Sequence, residues 1–176
     1  MVKIAIIGPE STGKTELCRQ LAEYFNGAWL PELAREYVEK RNFEYTFEDV
    51  EAIARLQIEQ EEQIATDSPI TFFDTDLIIT KVWFEHKYKE VPDFVAERLA
   101  LRYIDFYLLC VPDLPWEFDP VRENGSNRDY FFDWYAREVK DLGTPYAYVS
   151  GFDEARVKSA IHAILHYMSI ANNKIQ

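Results

Sequence analysis

Cysteine, histidine and glycine are scarce in this chain of 176 residues, at two, three and six copies. The two cysteines, Cys18 and Cys110, sit in a helical and an apolar strand pattern, with neither metal nor redox spacing. That excludes a disulfide scaffold, a zinc module and a dithiol redox centre, and leaves both as buried, reduced thiols. His162 and His166 are four residues apart, a spacing that can bind metal, but no carboxylate or cysteine nearby completes a set, so they read as helix-flank residues. There is no Gly/Ser linker, repeat or low-complexity run, and 48% of the residues are hydrophobic. Residues 1–176 therefore read as one domain around one core. Basic residues are outnumbered, 19 to 31, for a net charge of −12. Without a basic stripe, nucleic-acid binding is excluded as a function class. Apolar runs are short as well. The first, Val2–Ile7, has six residues and ends at a glycine, so it is neither a signal peptide nor a membrane span. A soluble, cytoplasmic protein with no membrane partner is expected.

Two of the few glycines frame Gly8-Pro9-Glu10-Ser11-Thr12-Gly13-Lys14-Thr15, which fits the phosphate-loop template G-x-x-x-x-G-K-[ST] at every fixed position. Its context is right on both sides. Val2–Ile7 reads as a buried parallel strand, and Leu17, Leu21, Tyr24 and Phe25 recur at helical spacing beyond it. Gly8 and Gly13 let the backbone turn and approach a ligand closely. The amides from Gly8 through Glu10, Ser11, Thr12, Gly13, Lys14, Thr15 and Glu16 then converge on phosphate oxygens at the positive end of a helix. Lys14 is placed to reach the β- and γ-phosphates, and the Thr15 hydroxyl to hold Mg²⁺. A purine nucleoside triphosphate, ATP or GTP, is the ligand this implies. An acidic chain that binds one must gather its few cations at the phosphates, while the acidic surplus elsewhere suits a solvated surface or a cationic substrate.

Strand and helix signals alternate along the rest of the chain. Residues 28–31 suggest a short second strand delivering Glu32, and a helix opens over Glu32–Tyr37, with Glu36 and Lys40 paired at i,i+4. Thr46 and Asp49 form an N-cap signature for a long helix reaching about Thr66, whose Glu48, Glu51, Glu59, Glu61 and Glu62 read as a solvated face. A third strand, Ile70–Phe73, ends at Asp74-Thr75-Asp76. Helices over Leu77–Tyr88 and from Pro92, carrying Phe94, Val95, Leu99 and Leu101, precede a fourth strand over Ile104–Val111. Pro112, Pro115 and Pro120 then rule out a continuous helix, and the irregular stretch about 112–128 is the longest in the chain. Ser126 caps a helix through Leu142, ended by Gly143, and a fifth strand over Tyr146–Val149 leads to a last helix with Val157, Ile161, Ile164, Leu165 and Met168 on one stripe. The strands read as apolar on both faces. The fold class this predicts is α/β, a five-stranded parallel sheet with helices on both faces.

In such sheets ligands bind beyond the carboxyl ends of the strands. Three acids stand there. Asp74, ending an apolar run, has the form of a Walker B carboxylate oriented toward the Mg²⁺ hydration shell, although an aspartate after a strand is also a common helix cap. Asp76 can cap the next helix, bind substrate hydroxyls or share the role of base. Glu32 can accept a proton from a hydroxyl attacking the γ-phosphate, or merely favour a helix dipole. Arg35, one turn on, pairs with Glu32 or reaches substrate. Arg122 and Arg128 either close over the transferring phosphoryl group from a lid or counter Glu123 and Asp129 at the surface. Trp83 lies on the helical face opposite Leu77, Phe84 and Tyr88; it reads first as a packing residue, with contact to a ligand ring as the alternative.

These residues, taken in order, resemble the ribosylnicotinamide kinase domain of NadR-type proteins: Gly8 to Thr15, Glu32-Leu33-Ala34-Arg35-Glu36, Asp74-Thr75-Asp76, Pro115-Trp116 through Asp119 to Arg122, and Arg128. The likeness runs from about residue 2 to 165. It implies a P-loop NTPase fold of the nucleoside-kinase type with a lid after strand four. It also implies transfer of the ATP γ-phosphate, with Mg²⁺, to the 5′-hydroxyl of nicotinamide riboside to give nicotinamide mononucleotide. By the same resemblance Glu32 and Asp76 would hold the riboside, Asp74 would serve Mg²⁺, and Arg122 with Arg128 would belong to the lid. The riboside ring carries a fixed positive charge, which acidic groups and aromatic faces would favour. The chain departs from the family in places. Pro31, not tryptophan, precedes Glu32, which leaves Trp29, Trp83 and Tyr88 as candidates to stack on the ring, and Pro120 replaces the lid glycine. The H-x-G-H motif of an adenylyltransferase domain is missing, so a stand-alone kinase or an excised domain is expected.

Two other readings compete. A P-loop kinase for another nucleoside or small alcohol would use the same phosphate machinery. A nucleotide-dependent switch would lack an acceptor, though no N-K-x-D guanine-reading motif occurs. Oligomeric state is left open, a homo-oligomer included.

Overall fold

The computed structural model describes residues 1–64, 68–117 and 127–173. Its five strands are β1 (Val2–Ile7), β2 (Ala28–Leu30), β3 (Ile70–Asp74), β4 (Phe106–Cys110) and β5 (Tyr146–Val149). They form one sheet in the order β2-β3-β1-β4-β5, every pair parallel. The helices are α1 (Lys14–Tyr24), α2 (Ala34–Lys40), α3 (Phe47–Glu62), α4 (Leu77–Tyr88), α5 (Asp93–Ala100), α6 (Arg128–Leu142) and α7 (Asp153–Asn173).

Side chains alternate across a strand, and the sheet divides the core accordingly. Ala5 and Ile7 of β1 join Phe73, Val82, Phe84, Val95 and Val139 under α3 to α6. Ile4 and Ile6 point the other way, to Leu17 and Leu21 of α1 and Ala160 and Ile164 of α7. Each fully buried Ile, Leu or Phe contributes about 2 kcal/mol. The central strands β1, β3 and β4 are buried on both faces over most of their length, which accounts for their uninterrupted apolar runs. The outer strands depart from that expectation. β2 is half-buried throughout, and Tyr146 and Tyr148 of β5 are exposed, because an edge strand has a neighbour on one side only.

Local signals set several helix ends. Thr46 and Asp49 form a reciprocal capping box on α3: Asp49 N–H donates to Thr46 Oγ1 and Thr46 N–H to Asp49 Oδ2 at 3.0 Å. The Lys40 ammonium meets Glu36 at 2.6 Å, as the i,i+4 spacing predicts. Gly143 ends α6 in the left-handed region. Other boundaries and faces differ from the sequence reading. α3 stops at Glu62, capped by Gln63, and the expected end at Thr66 lies outside the described residues. α6 begins at Arg128 after Asn127, while Ser126 lies outside the described residues. Tyr24 and Leu165, assigned to apolar stripes, are exposed at the stripe margins, and Leu101 is exposed because α5 ends one residue before it, at Ala100.

Glu61 is the larger correction. It belongs to the supposed solvated face of α3, yet it is 4% exposed, because α5 packs Arg98 against it at 3.2 Å. Burial outweighs the Arg98 interactions and pushes the Glu61 carboxyl up from an ordinary 4.5 to about 7. A carboxyl with a folded value above its unfolded one holds more protons folded than unfolded, so its contribution to stability declines as pH rises from about 4.5 to 7. Glu61→Gln is expected to remove that component: urea melts at pH 5 and pH 8 should differ less for the variant than for the parent chain.

Candidate active site

The strand β1 ends where Gly8 turns away at φ +154°, and a Cβ there would stand 2.7 Å from the Cys110 carbonyl oxygen of β4. No side chain fits that contact. Gly13, at φ +71°, starts α1 without a side-chain cap, so the first amides of the helix remain available to an anion. Between them, the Pro9 carbonyl accepts from Thr12 Oγ1 at 2.8 Å and from Lys14 Nζ at 3.0 Å. The loop is thereby closed on itself with its one ammonium group held over it. All eight residues predicted at the phosphates, Gly8, Glu10, Ser11, Thr12, Gly13, Lys14, Thr15 and Glu16, line one cavity of about 520 Å³.

Asp74 ends β3 beside this loop. Its register partner is Ile6, which faces α1, so the Asp74 carboxylate also points to the α1 side, toward Thr15 and Lys14. It is 3% exposed, and neither oxygen has a hydrogen-bond partner. Burial raises its carboxyl above the ordinary range, while the nearby Thr15 hydroxyl, the Lys14 charge and the Glu32 backbone amide oppose that rise. An orphaned buried carboxylate next to a loop threonine fits a hydrated Mg²⁺, which takes only one or two protein ligands and otherwise keeps water and phosphate oxygens. The described residues hold no cluster of three or more acids, histidines or cysteines that could bind a metal, and this kind of site requires none.

The same cavity continues away from the phosphate loop past Glu32 and Arg35 to Tyr45, Trp83, Phe131 and Tyr135, with His86 and Lys87 at its rim. Burial raises the Glu32 carboxyl and Asp74 adds to the effect, while Lys14 and then Arg35 work against it. Arg35 pairs with Glu39 at 3.3 Å. Trp83 is both a packing residue and a wall of the cavity: its Nε1 donates to the Tyr45 hydroxyl at 3.2 Å, with the rings edge to face at 4.9 Å. The other candidate stacking residues do not reach it. Trp29 turns to the α1/α7 side of the sheet, and Tyr88 packs edge-on against Phe47 at 5.3 Å. Asp76 is also not on the cavity wall. It caps α4, taking Ile78 N–H on Oδ1 at 2.9 Å and the Tyr107 hydroxyl on Oδ2 at 2.6 Å. Burial pushes its carboxyl up to about 6.

Of the expected lid, Arg122 lies outside the described residues, with Asp119 and Pro120. Arg128 opens α6, and its guanidinium donates to the Leu114 carbonyl at 2.9 Å and to that of Ser11 at 3.4 Å, joining α6 to the phosphate loop. Ser11 Oγ also meets the Glu117 backbone at 3.3 Å. One anchor here has no sequence signal. Arg156 of α7 is buried and donates to Asp113 Oδ1 at 2.6 Å and to the Val111 and Gly151 carbonyls at 2.9 Å, tying the segments after β4 and β5 together. Asp74 closes its strand and Asp113 lies just beyond the end of β4, and the packing distinguishes their roles.

A parallel sheet whose first strand runs through a glycine-framed, lysine-bearing loop into a helix is the architecture of P-loop nucleotide-binding domains. The sequence profile of the family described as an AAA domain matches residues 3–156, and the chain belongs to that family. It is similar to the trifunctional NAD biosynthesis/regulator protein NadR of Salmonella typhimurium (strain LT2), at 27% identity over 132 residues. That match takes in 72% of this chain and 32% of the relative, so the chain spans about a third of the length of that protein. Two solved NadR structures share the fold at a TM-score of 0.72. One, in complex with NAD and AMP-PNP, is 26% identical and covers 94% of this chain and 49% of its own; the other, in complex with NR, is 25% identical and covers 94% and 50%. No described helix is long and apolar enough to cross a membrane.

An unpaired buried carboxylate destabilises the protein unless a cation meets it. Asp74→Asn is therefore expected to raise the melting temperature measured in EDTA at pH 8. It should also abolish the further stabilisation that Mg²⁺ adds to ATP binding in the parent chain.

Proposed function

We propose that the protein is an ATP-dependent kinase that phosphorylates the 5′-hydroxyl of nicotinamide riboside. The observation that carries this reading is the single cavity in which the phosphate loop, the Glu32 carboxylate and an aromatic enclosure follow one another. Its volume suits a nucleoside beside a triphosphate tail. The likeness to NadR proteins solved with NR and with AMP-PNP supports the same assignment.

In this mechanism the loop amides and Lys14 hold the β- and γ-phosphates and offset the charge that spreads over the equatorial oxygens. Thr15 and Asp74 would hold Mg²⁺, which supplies electrostatic compensation between the phosphates when bound. Glu32 accepts the proton of the attacking hydroxyl as the new bond to the γ-phosphorus forms and the bond to the β-phosphate oxygen breaks, leaving ADP. Its raised carboxyl makes it a stronger base than a solvated glutamate. Trp83, held edge-on by Tyr45, offers a ring face to the acceptor base. Arg128, and Arg122 from the lid, would complete the charge around the transferring group.

One observation favours a second acceptor class. Lys87 Nζ lies 3.7 Å from the Tyr45 ring centroid at the acceptor end, and a cation there repels a cationic ring. A neutral nucleoside is the alternative. A panel of nicotinamide riboside, uridine and thymidine with ATP and Mg²⁺ decides between them: nicotinamide mononucleotide as the main product supports the first reading, and a higher kcat/KM for a neutral nucleoside replaces it. With the acceptor in hand, Lys14→Ala should abolish transfer. Glu32→Gln should lower kcat by roughly 10²-fold or more while leaving ATP affinity within about twofold; collapse of ATP binding instead would make Glu32 structural.

A further inference from the structure

Thr75 carries two unfavourable features at once. It is a β-branched residue at φ +82°, in the left-handed region where such side chains are outliers. Its amide donates to the Ile6 carbonyl at 3.1 Å, one step beyond the β1–β3 register, which holds the peptide in that conformation. The second feature is its hydroxyl: buried, in a residue 7% exposed, and without a hydrogen-bond partner. Glycine or asparagine would adopt this backbone at less cost, and valine would fill the volume without orphaning a polar atom. Strain and an unsatisfied group on one residue in a cavity wall point to a role in the working state of the site.

The cavity walls point to what the hydroxyl serves. β2 pairs with β3 as Ala28↔Thr71, Trp29↔Phe72 and Leu30↔Phe73. Glu32 follows the end of β2 by two residues and Thr75 the end of β3 by one, at neighbouring strand ends. Glu32 and Thr75 accordingly border the main cavity together, and both also border a smaller cavity of about 50 Å³ behind Glu32. The Asp74 carboxylate, one residue before Thr75, lies toward the Thr15 end of the loop.

We propose that Thr75 is a positioning residue for Glu32: in the loaded site its hydroxyl donates to the Glu32 carboxylate and holds it toward the acceptor hydroxyl. The role rests on Glu32 being the base. Without that donor the carboxylate is free to swing into the space behind it, and fewer bound acceptors meet it in a reactive geometry.

Thr75→Val keeps the β-branch and the volume and removes only the hydroxyl. Its expected signature is a kcat lower by about tenfold or more, the size of a lost hydrogen bond to a charged group. KM for ATP should not change, and the melting temperature should be equal or higher, because an orphaned hydroxyl has gone. Thr75→Ser should recover most of kcat. In a Glu32→Gln background, Thr75→Val should leave the residual rate unchanged, since the two residues act as one unit. A parent-like kcat for Thr75→Val, an equal loss in the Glu32→Gln background, or no recovery with serine would each overturn the proposal. Failure of the base assignment itself shows separately, as an intact kcat in Glu32→Gln alone.

Discussion

The contact between Gly8 and the Cys110 carbonyl is the constraint from which the rest of the site is measured. It brings the end of β1 against β4 with no room for a side chain, so the chain must leave the sheet at that point. The turn that follows carries Lys14 back over the Pro9 carbonyl and begins α1 at a residue with no capping side chain. Helix amides and one ammonium group then point at the same space, and an anion satisfies them. A bulkier residue at position 8 would separate β1 from β4, and with it the loop from everything that hangs on the other strands.

Around that loop, the parity of the sheet sorts the acids. Asp74 follows Phe72 to the α1 side, toward Thr15, whereas Glu32 lines the cavity shared with Trp83, Phe131 and Tyr135. The two carboxylates thus stand at neighbouring strand ends beside one phosphate loop. Asp76 belongs to the scaffold of this arrangement. By capping α4 and accepting from Tyr107 it fixes the helix that carries Trp83.

Much of this was legible residue by residue. Thr46 and Asp49 cap α3 because a capping box is a local geometry, and Gly143 ends α6 for the same reason. Glu61 was misread because an i,i+4 pattern reveals which face of a helix is polar, not whether another helix lies over it; Arg98 comes from α5. Trp83 and Tyr88 show the same limit within α4. They lie on different faces, and only the placement of α3 and α6 decides that the cavity is on the Trp83 face and the packed core on the Tyr88 face. Arg156 carried no signal, since nothing local distinguishes a surface arginine from one that reaches an aspartate beyond a strand end.

The sequence by itself determined the phosphate loop, the alternation of strands and helices and the parallel sheet, because each follows from backbone sterics, capping chemistry and side-chain periodicity over a few residues. Tertiary structure alone decided which aromatics line the cavity, which acid lies toward Thr15 and which caps a helix, and that Thr75 and Glu32 border the same space. Those relations join segments tens of residues apart, and their distances are set by how two helical layers pack on a twisted sheet.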